Sequence, residues 1–329
     1  MMKKTAIALG IASMAFGAQA AEWMVTPDHK FELNGTTGAY YFNTKSSTGA
    51  QTTTLLGAGQ NQIQLRSTKT LADGIKLIGQ LEVDFDPLQD NYLVASDDMR
   101  IGVDVPVWGR LTAGQHDSFH EDKVPEALGF WGAGENAYMA EPLSTFDSKN
   151  LEYYNKYGAF EFAGTTQFGY DNSATASTMM GFSATLGYKV GDLQIYAGNS
   201  QVPYLYSNAA NTASTTATAK STHTYSSGIT ANYLIDPTLK VAALTYSVQL
   251  LSGANYSYSG FGAEKVMGAW KVGASTQTVN LGGTSQTTQY AAGINYTLAP
   301  KAVVWLEINS LGATNGEGDD IEIGFSYTF

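Results

Sequence analysis

The chain reads as an all-β protein, a transmembrane antiparallel β-barrel of about sixteen strands with one long loop folded into its lumen. Three observations predict this. Short segments alternate apolar and polar residues with period two over most of the length, as strands with one apolar face do. The connections between them are alternately tight and long, which a barrel inserted from one side produces and a soluble sandwich has no reason to produce. One stretch, His116 to Asp147, carries no strand pattern at all, although compact domains seldom hold so long a connection unless it has a role.

The first twenty residues stand apart from that pattern. Lys3 and Lys4 make a basic start, Thr5 to Gly17 is a short apolar run, and Ala18-Gln19-Ala20 is a small-x-small cleavage signal. Residues 1–20 are therefore expected to be an export signal, too short to span a membrane as a helix. Residues 21–329 are expected to form one barrel domain that begins at Ala21.

The strands follow in order. Phe31, Leu33, Gly35, Thr37, Ala39 and Tyr41 share one face, and a Gly/Thr/Ser-rich loop is expected after them. Ile63 and Leu65 alternate with Gln62, Gln64 and Arg66, up to a hairpin signal at Asp73-Gly74. Leu77, Leu81 and Val83 alternate with Lys76, Gln80, Glu82 and Asp84; Met99, Ile101 and Val103 alternate with Arg100 and Asp104. Pro106 to Gly109 turns the chain into Arg110–Gln115 and the long loop. Beyond the loop, tight turns are expected at Asn155–Gly158, Gly191-Asp192, Asp236-Pro237, Met267–Ala269 and Ala299-Pro300. Asn208 to Lys220 is a polar, low-complexity loop. The stretches Leu239–Leu250 and Tyr256–Val266 do not reveal which face turns inward. Ile321, Ile323, Phe325, Tyr327 and Phe329 close the chain on a clean alternation.

Composition narrows the function. No run beyond residue 20 is long and apolar enough for a spanning helix, so an exported chain of this kind is a soluble protein or a barrel. A large soluble all-β protein would need two apolar sheets of matching size, and the polar faces here are too evenly spread for that. In lipid the apolar face must look outward, because acyl chains offer no hydrogen-bond partners. There are no cysteines, which excludes disulfides and thiolate chemistry. Net charge is −11, and −13 once Lys3 and Lys4 are removed, which argues against a nucleic-acid partner and suits a lumen that attracts cations. About sixteen strands enclose more space than side chains can fill, which favours an open channel over a plugged adhesin. Four scattered histidines and no evident nucleophile argue against a barrel enzyme.

The long loop concentrates acid. Asp117, Glu121, Asp122, Glu126, Glu135, Glu141 and Asp147 stand against Lys123 alone. His116 and His120 have the i, i+4 spacing of helical metal ligands, but the catalytic order of a zinc hydrolase is missing, and no metal or cofactor is assigned. Phe130, Trp131 and Tyr138 suit either anchors for the loop or a track for sugars.

The whole chain resembles the general trimeric porins of Gram-negative outer membranes. The residues that carry the likeness are the export signal, the alternating strands and the terminal Phe329, which looks like the signal read by the barrel-assembly machinery. Asp122-Lys123-Val124-Pro125-Glu126 is similar to the family's Asp-x-x-Pro-Glu in its inward-folded third loop, whose carboxylates line the constriction. Arg100 in MRIG matches one rung of the family's basic ladder, Arg66 sits where another basic residue is common, and Gln62 stands at a position that often carries arginine. The chain departs from the pattern at Ala127-Leu128-Gly129 and in having only three arginines, Arg66, Arg100 and Arg110. The resemblance implies an outer-membrane homotrimer set in lipid and lipopolysaccharide, its contact wall using small outward residues such as Gly35, Thr37 and Ala39. It implies passive diffusion of small hydrophilic solutes past Asp117, Glu121, Asp122 and Glu126 on the loop and Arg66, Lys76, Arg100 and Arg110 opposite. With so thin a basic wall, the expected pore prefers cations; a sugar-selective pore is the alternative.

Overall fold

The structure is a computed structural model that describes residues 21–45, 51–84, 95–124, 149–168, 180–203, 223–249, 255–281, 285–310 and 319–329. Residues 1–20, expected to be an export signal, the polar stretch 208–220 and positions 125–148 of the long loop lie outside the described residues. Seventeen strands are described. They are β1 (Ala21–Thr26), β2 (His29–Lys45), β3 (Gln51–Thr70), β4 (Lys76–Asp84), β5 (Ala95–Val105), β6 (Gly109–Gln115), β7 (Lys149–Tyr157), β8 (Phe160–Phe168) and β9 (Met180–Val190). Then come β10 (Leu193–Pro203), β11 (His223–Asp236), β12 (Leu239–Gln249), β13 (Asn255–Met267), β14 (Trp270–Leu281), β15 (Ser285–Ala299), β16 (Ala302–Ser310) and β17 (Asp319–Thr328). A helix, α1 (Phe119–Lys123), follows β6.

Each strand from β2 onward pairs antiparallel with the next, and β17 pairs back onto β2, so sixteen strands close into a barrel. Closure joins the last barrel strand to the first, as lipid requires of a sheet that spans it. β1, which the alternation does not reveal, pairs with the start of β2 from Thr26↔His29 to Ala21↔Leu33. β17 pairs with the rest of β2, from Thr328↔Thr36 to Asp320↔Thr44. The two lie end to end along one edge of β2 and together make one full-height strand.

The tight turns fall at one end, as their spacing predicts. Gly158, Gly191 and Gly268 take φ of 59°, 54° and 62°, the left-handed conformation that two-residue hairpins need. The β7–β8 turn therefore sits on Gly158, and Asn155–Tyr157, expected in the turn, are strand. A larger correction concerns the Gly/Thr/Ser-rich stretch before Ile63. From Gln51 onward it is strand, and β3 runs 20 residues. Thr52, Thr53 and Thr54 pair with Thr44, Asn43 and Phe42, because ladder bonds are made by backbone and threonine favours extended chain.

The outer face carries exposed Leu65, Leu77, Leu81, Ile101, Leu111, Leu151, Leu186, Ile229 and Ile323. Near the tight turns it carries aromatics, with Phe160 on Tyr188 at 5.0 Å and Trp270 on Tyr296 at 4.4 Å between ring centroids, as at a membrane interface. The inner face is polar on β7–β9, where Glu152, Thr165, Gln167, Ser183 and Thr185 are buried. On β12 and β13 the rule inverts. Leu244, Tyr246, Val248 and Tyr258 face inward and are buried, while Thr245, Ser247, Ser257 and Ser259 face outward. The reason lies in the lumen: these residues form one apolar cluster with Phe119 and Val124 of the long loop.

Candidate functional site

The interior holds two built regions. The first is the docking of the long loop. The chain leaves β6 and forms a single helical turn, Asp122 N–H donating to Ser118 O (3.2 Å) and Val124 N–H to His120 O (3.0 Å). Four contacts tie it to the inner wall. Asn150 Nδ2 donates to His116 O. Phe119 N–H donates to Glu152 Oε2 at 2.7 Å, an oxygen that also accepts from the Thr165 hydroxyl at 3.0 Å. His120 Nδ1 lies 3.1 Å from Thr185 Oγ1, and the Thr230 hydroxyl donates to Lys123 O at 2.8 Å.

Packing adds to these bonds. The Phe119 ring sits 5.1 Å from Tyr154 and 6.1 Å from Tyr196, and His120 6.5 Å from Tyr246. Burying Phe119 and Val124 contributes about 1.5–3 kcal/mol each. Two wall glycines make room. A Cβ on Gly198 would stand 2.4 Å from His120 Nδ1, and one on Gly228 2.8 Å from Val124 Cγ1. The result is a one-sided segment, with His116, Ser118, Phe119, His120 and Val124 buried and Asp117 and Asp122 exposed. Burial pushes the His120 imidazole down to about 4, since the buried cation would lose its hydration.

The second region is the wall of β3–β5. Gln62 Nε2 and Gln64 Nε2 donate to the two oxygens of Glu82 at 2.6 and 2.5 Å. Arg66 donates through Nε (3.2 Å) and one terminal nitrogen (2.9 Å) to Gln80 Oε1. Gln80 Nε2 donates to Asp98 Oδ2 at 2.8 Å, and Arg100 pairs with that same oxygen. These seven residues form two hydrogen-bonded groups, Gln62–Glu82–Gln64 on β3 and β4 and Arg66–Gln80–Asp98–Arg100 across β3, β4 and β5.

Of the residues singled out in the sequence, Arg66 and Arg100 are brought together by this network. Lys76 and Arg110 both stand opposite Asp104, near the tight-turn end. That is four residues from Arg100, or about 13 Å along the strand. Arg110 there lies 5.2 Å over the Tyr154 ring. Asp117 and Asp122 lie on the exposed side of the docked segment, Glu121 is in α1, and Glu126, Phe130, Trp131 and Tyr138 lie outside the described residues. His116 Nδ1 lies 2.7 Å from Asp117 O, and both histidines are packed against the wall. The sequence reading missed Asp98 and the partners of α1. Asp98 has the parity of Arg100 two residues on, a signal that was there to use. Glu152, Thr185 and Thr230 gave no signal, since only folding brings them to the loop.

Comparison with known proteins agrees with this architecture. A family model described as Gram-negative porin matches residues 5–327. No curated protein matches the chain. Among solved structures, an anion-selective porin from Comamonas acidovorans is similar with a TM-score of 0.72 at 14% identity, covering 92% of this chain and all of that one. A Salmonella typhi OmpF in complex with daunomycin reaches 0.71 at 15% identity, over 94% of this chain and all of that one. The trimer form of Vibrio cholerae OmpT reaches 0.65 at 15%, over 92% of this chain and 99% of that one. At such identities these likenesses speak for the fold alone. The family match over nearly the whole length, on a closed barrel with an apolar exterior, makes the protein an outer-membrane porin channel, and the chain belongs to the Gram-negative porin family.

Proposed function

We propose that the channel is water-filled, passes small hydrophilic solutes by passive diffusion without catalysis, and prefers cations. In this reading Asp117, Glu121, Asp122 and Glu126 of the long loop supply the negative charge of the constriction and Arg66 and Arg100 the positive, while Lys76 and Arg110 charge the tight-turn mouth. The observation that carries this reading is the one-sidedness of residues 116–124. Five side chains are buried against the wall, and Asp117 and Asp122 are left exposed on the lumen side. Fixed charges in a narrow aqueous pore act through a lower effective dielectric than on an open surface. Tyr196 and Tyr246 pack against Phe119 and His120 of α1, which supports a loop anchored to the wall. We place three copies in the membrane, surrounded by lipid and lipopolysaccharide. The test is the zero-current potential of a planar bilayer under a salt gradient. Asp122→Asn with Glu126→Gln should lower the cation preference about threefold at low salt and little at high salt, where screening is short-ranged. A wild-type channel that prefers anions, as the Comamonas relative does by name, sinks the reading.

A further inference from the structure

The wall at Arg66 and Arg100 has the geometry of a basic ladder, yet its charges are answered in place. Among the described residues of β3–β5, the interior face carries Arg66, Lys76 and Arg100 against Glu82, Asp84, Asp98 and Asp104. Asp98 takes the ion pair of Arg100. Arg66 directs two of its donors to the amide oxygen of Gln80 and none to Glu82. Glu82, 8% exposed, is held through both oxygens by the amides of Gln62 and Gln64. An amide donates a hydrogen bond without bringing a counter-charge, so the carboxylate is oriented while its field stays intact. Gln62 stands one rung from Glu82, at a position where an arginine would cancel it.

We propose that Glu82 is a specificity-determining residue of this channel, a wall-borne negative charge that draws cations and is aimed by Gln62 and Gln64. This rests on the cation-preferring reading above and moves part of its cause from the loop to the wall. Asp98 supports it by silencing Arg100. Cations therefore meet carboxylates on both sides of the passage, and among the described residues at the level of Glu82 and Asp98 anions find Arg66 as the guanidinium without an ion pair.

The experiment uses the full-length channel reconstituted in planar bilayers, with zero-current potentials under a salt gradient at low and high ionic strength. Glu82→Gln removes the charge and keeps the shape; it should lower the cation-to-anion permeability ratio about threefold at low salt. Gln62→Arg leaves Glu82 in place and pairs it, and should produce a similar drop. That second variant keeps the idea open to refutation if Glu82→Gln fails to assemble, with gel migration of unheated protein reporting assembly. Asp98→Asn should uncover Arg100 and push selectivity the same way. A cation-preferring wild type whose ratio is unmoved by Glu82→Gln and Gln62→Arg overturns this inference alone. An anion-preferring wild type overturns the parent reading instead.

Discussion

At the scale of single residues, the pore is shaped as much by missing side chains as by charged ones. Gly198 leaves the space that the His120 ring fills. A Cβ there would come within 2.4 Å of His120 Nδ1 and 2.7 Å of Thr185 Oγ1, the two atoms of one loop-to-wall contact. Neither ring nor hydroxyl can yield without breaking that contact. Gly198→Ala should therefore weaken docking of α1 by about 1–3 kcal/mol, as overpacking does elsewhere. The expected readouts are faster amide hydrogen exchange at residues 119–124 and a larger, noisier single-channel conductance. Gly164→Ala is the matched control, because its Cβ would meet nothing nearer than Ser183 O at 3.9 Å. Equal exchange rates in both variants and the wild type would show that the glycine is incidental.

At the scale of elements, α1 is held partly by a histidine that must stay neutral. His120 is 2% exposed and titrates at about 4, where an undocked histidine titrates near 6.5. The undocked segment thus binds more protons between those values. Docking is at full strength above pH 6.5 and weakens as pH falls toward 4, by up to about 3 kcal/mol. Hydrogen exchange of residues 119–124 should accelerate over that window in the wild type. His120→Gln, which cannot take a proton, should flatten the profile; a wild-type profile already flat would refute the argument. The strands and tight turns were legible in the sequence because alternation and turn residues act locally. The same logic left the facing of β12 and β13 open, since Leu244, Tyr246 and Tyr258 answer to Phe119 and Val124 more than a hundred positions away. It also missed β1 and lengthened no strand through the threonines of β3, where backbone pairing needs no apolar pattern. The candidate site was half legible. Arg66 and Arg100 could be placed on the inner face, but that Gln80 and Asp98 join them follows only from register.

At the scale of the whole molecule, the barrel depends on one seam. β17 and β1 share an edge of β2, and Phe329 sits where one hands over to the other. Its N–H donates to Gly35 O at 2.8 Å and its carbonyl accepts from Gly35 N–H at 3.2 Å. Its ring lies over Gly35, so closely that a Cβ on that glycine would stand 2.2 Å from Cζ. Gly35, expected to offer a bare patch to a neighbouring barrel, is therefore covered, and Thr37 and Ala39 remain for that contact. The position has two separable parts. The backbone closes a rung of the ladder, and in hydrocarbon each unpaired group costs several kcal/mol. The ring is what the barrel-assembly machinery is expected to read. Phe329→Ala keeps the rung and loses the ring; it should refold in detergent with near wild-type thermal stability, yet reach the outer membrane at reduced levels. Deleting Phe329 should lower both. Mass measurement on wild-type protein extracted in mild detergent should find three copies, and a conducting monomer would contradict the trimer. Normal membrane levels of the Phe329→Ala protein would show that the ring serves only to cover Gly35, and the signal would then have to lie further back, in Tyr327 and Phe325.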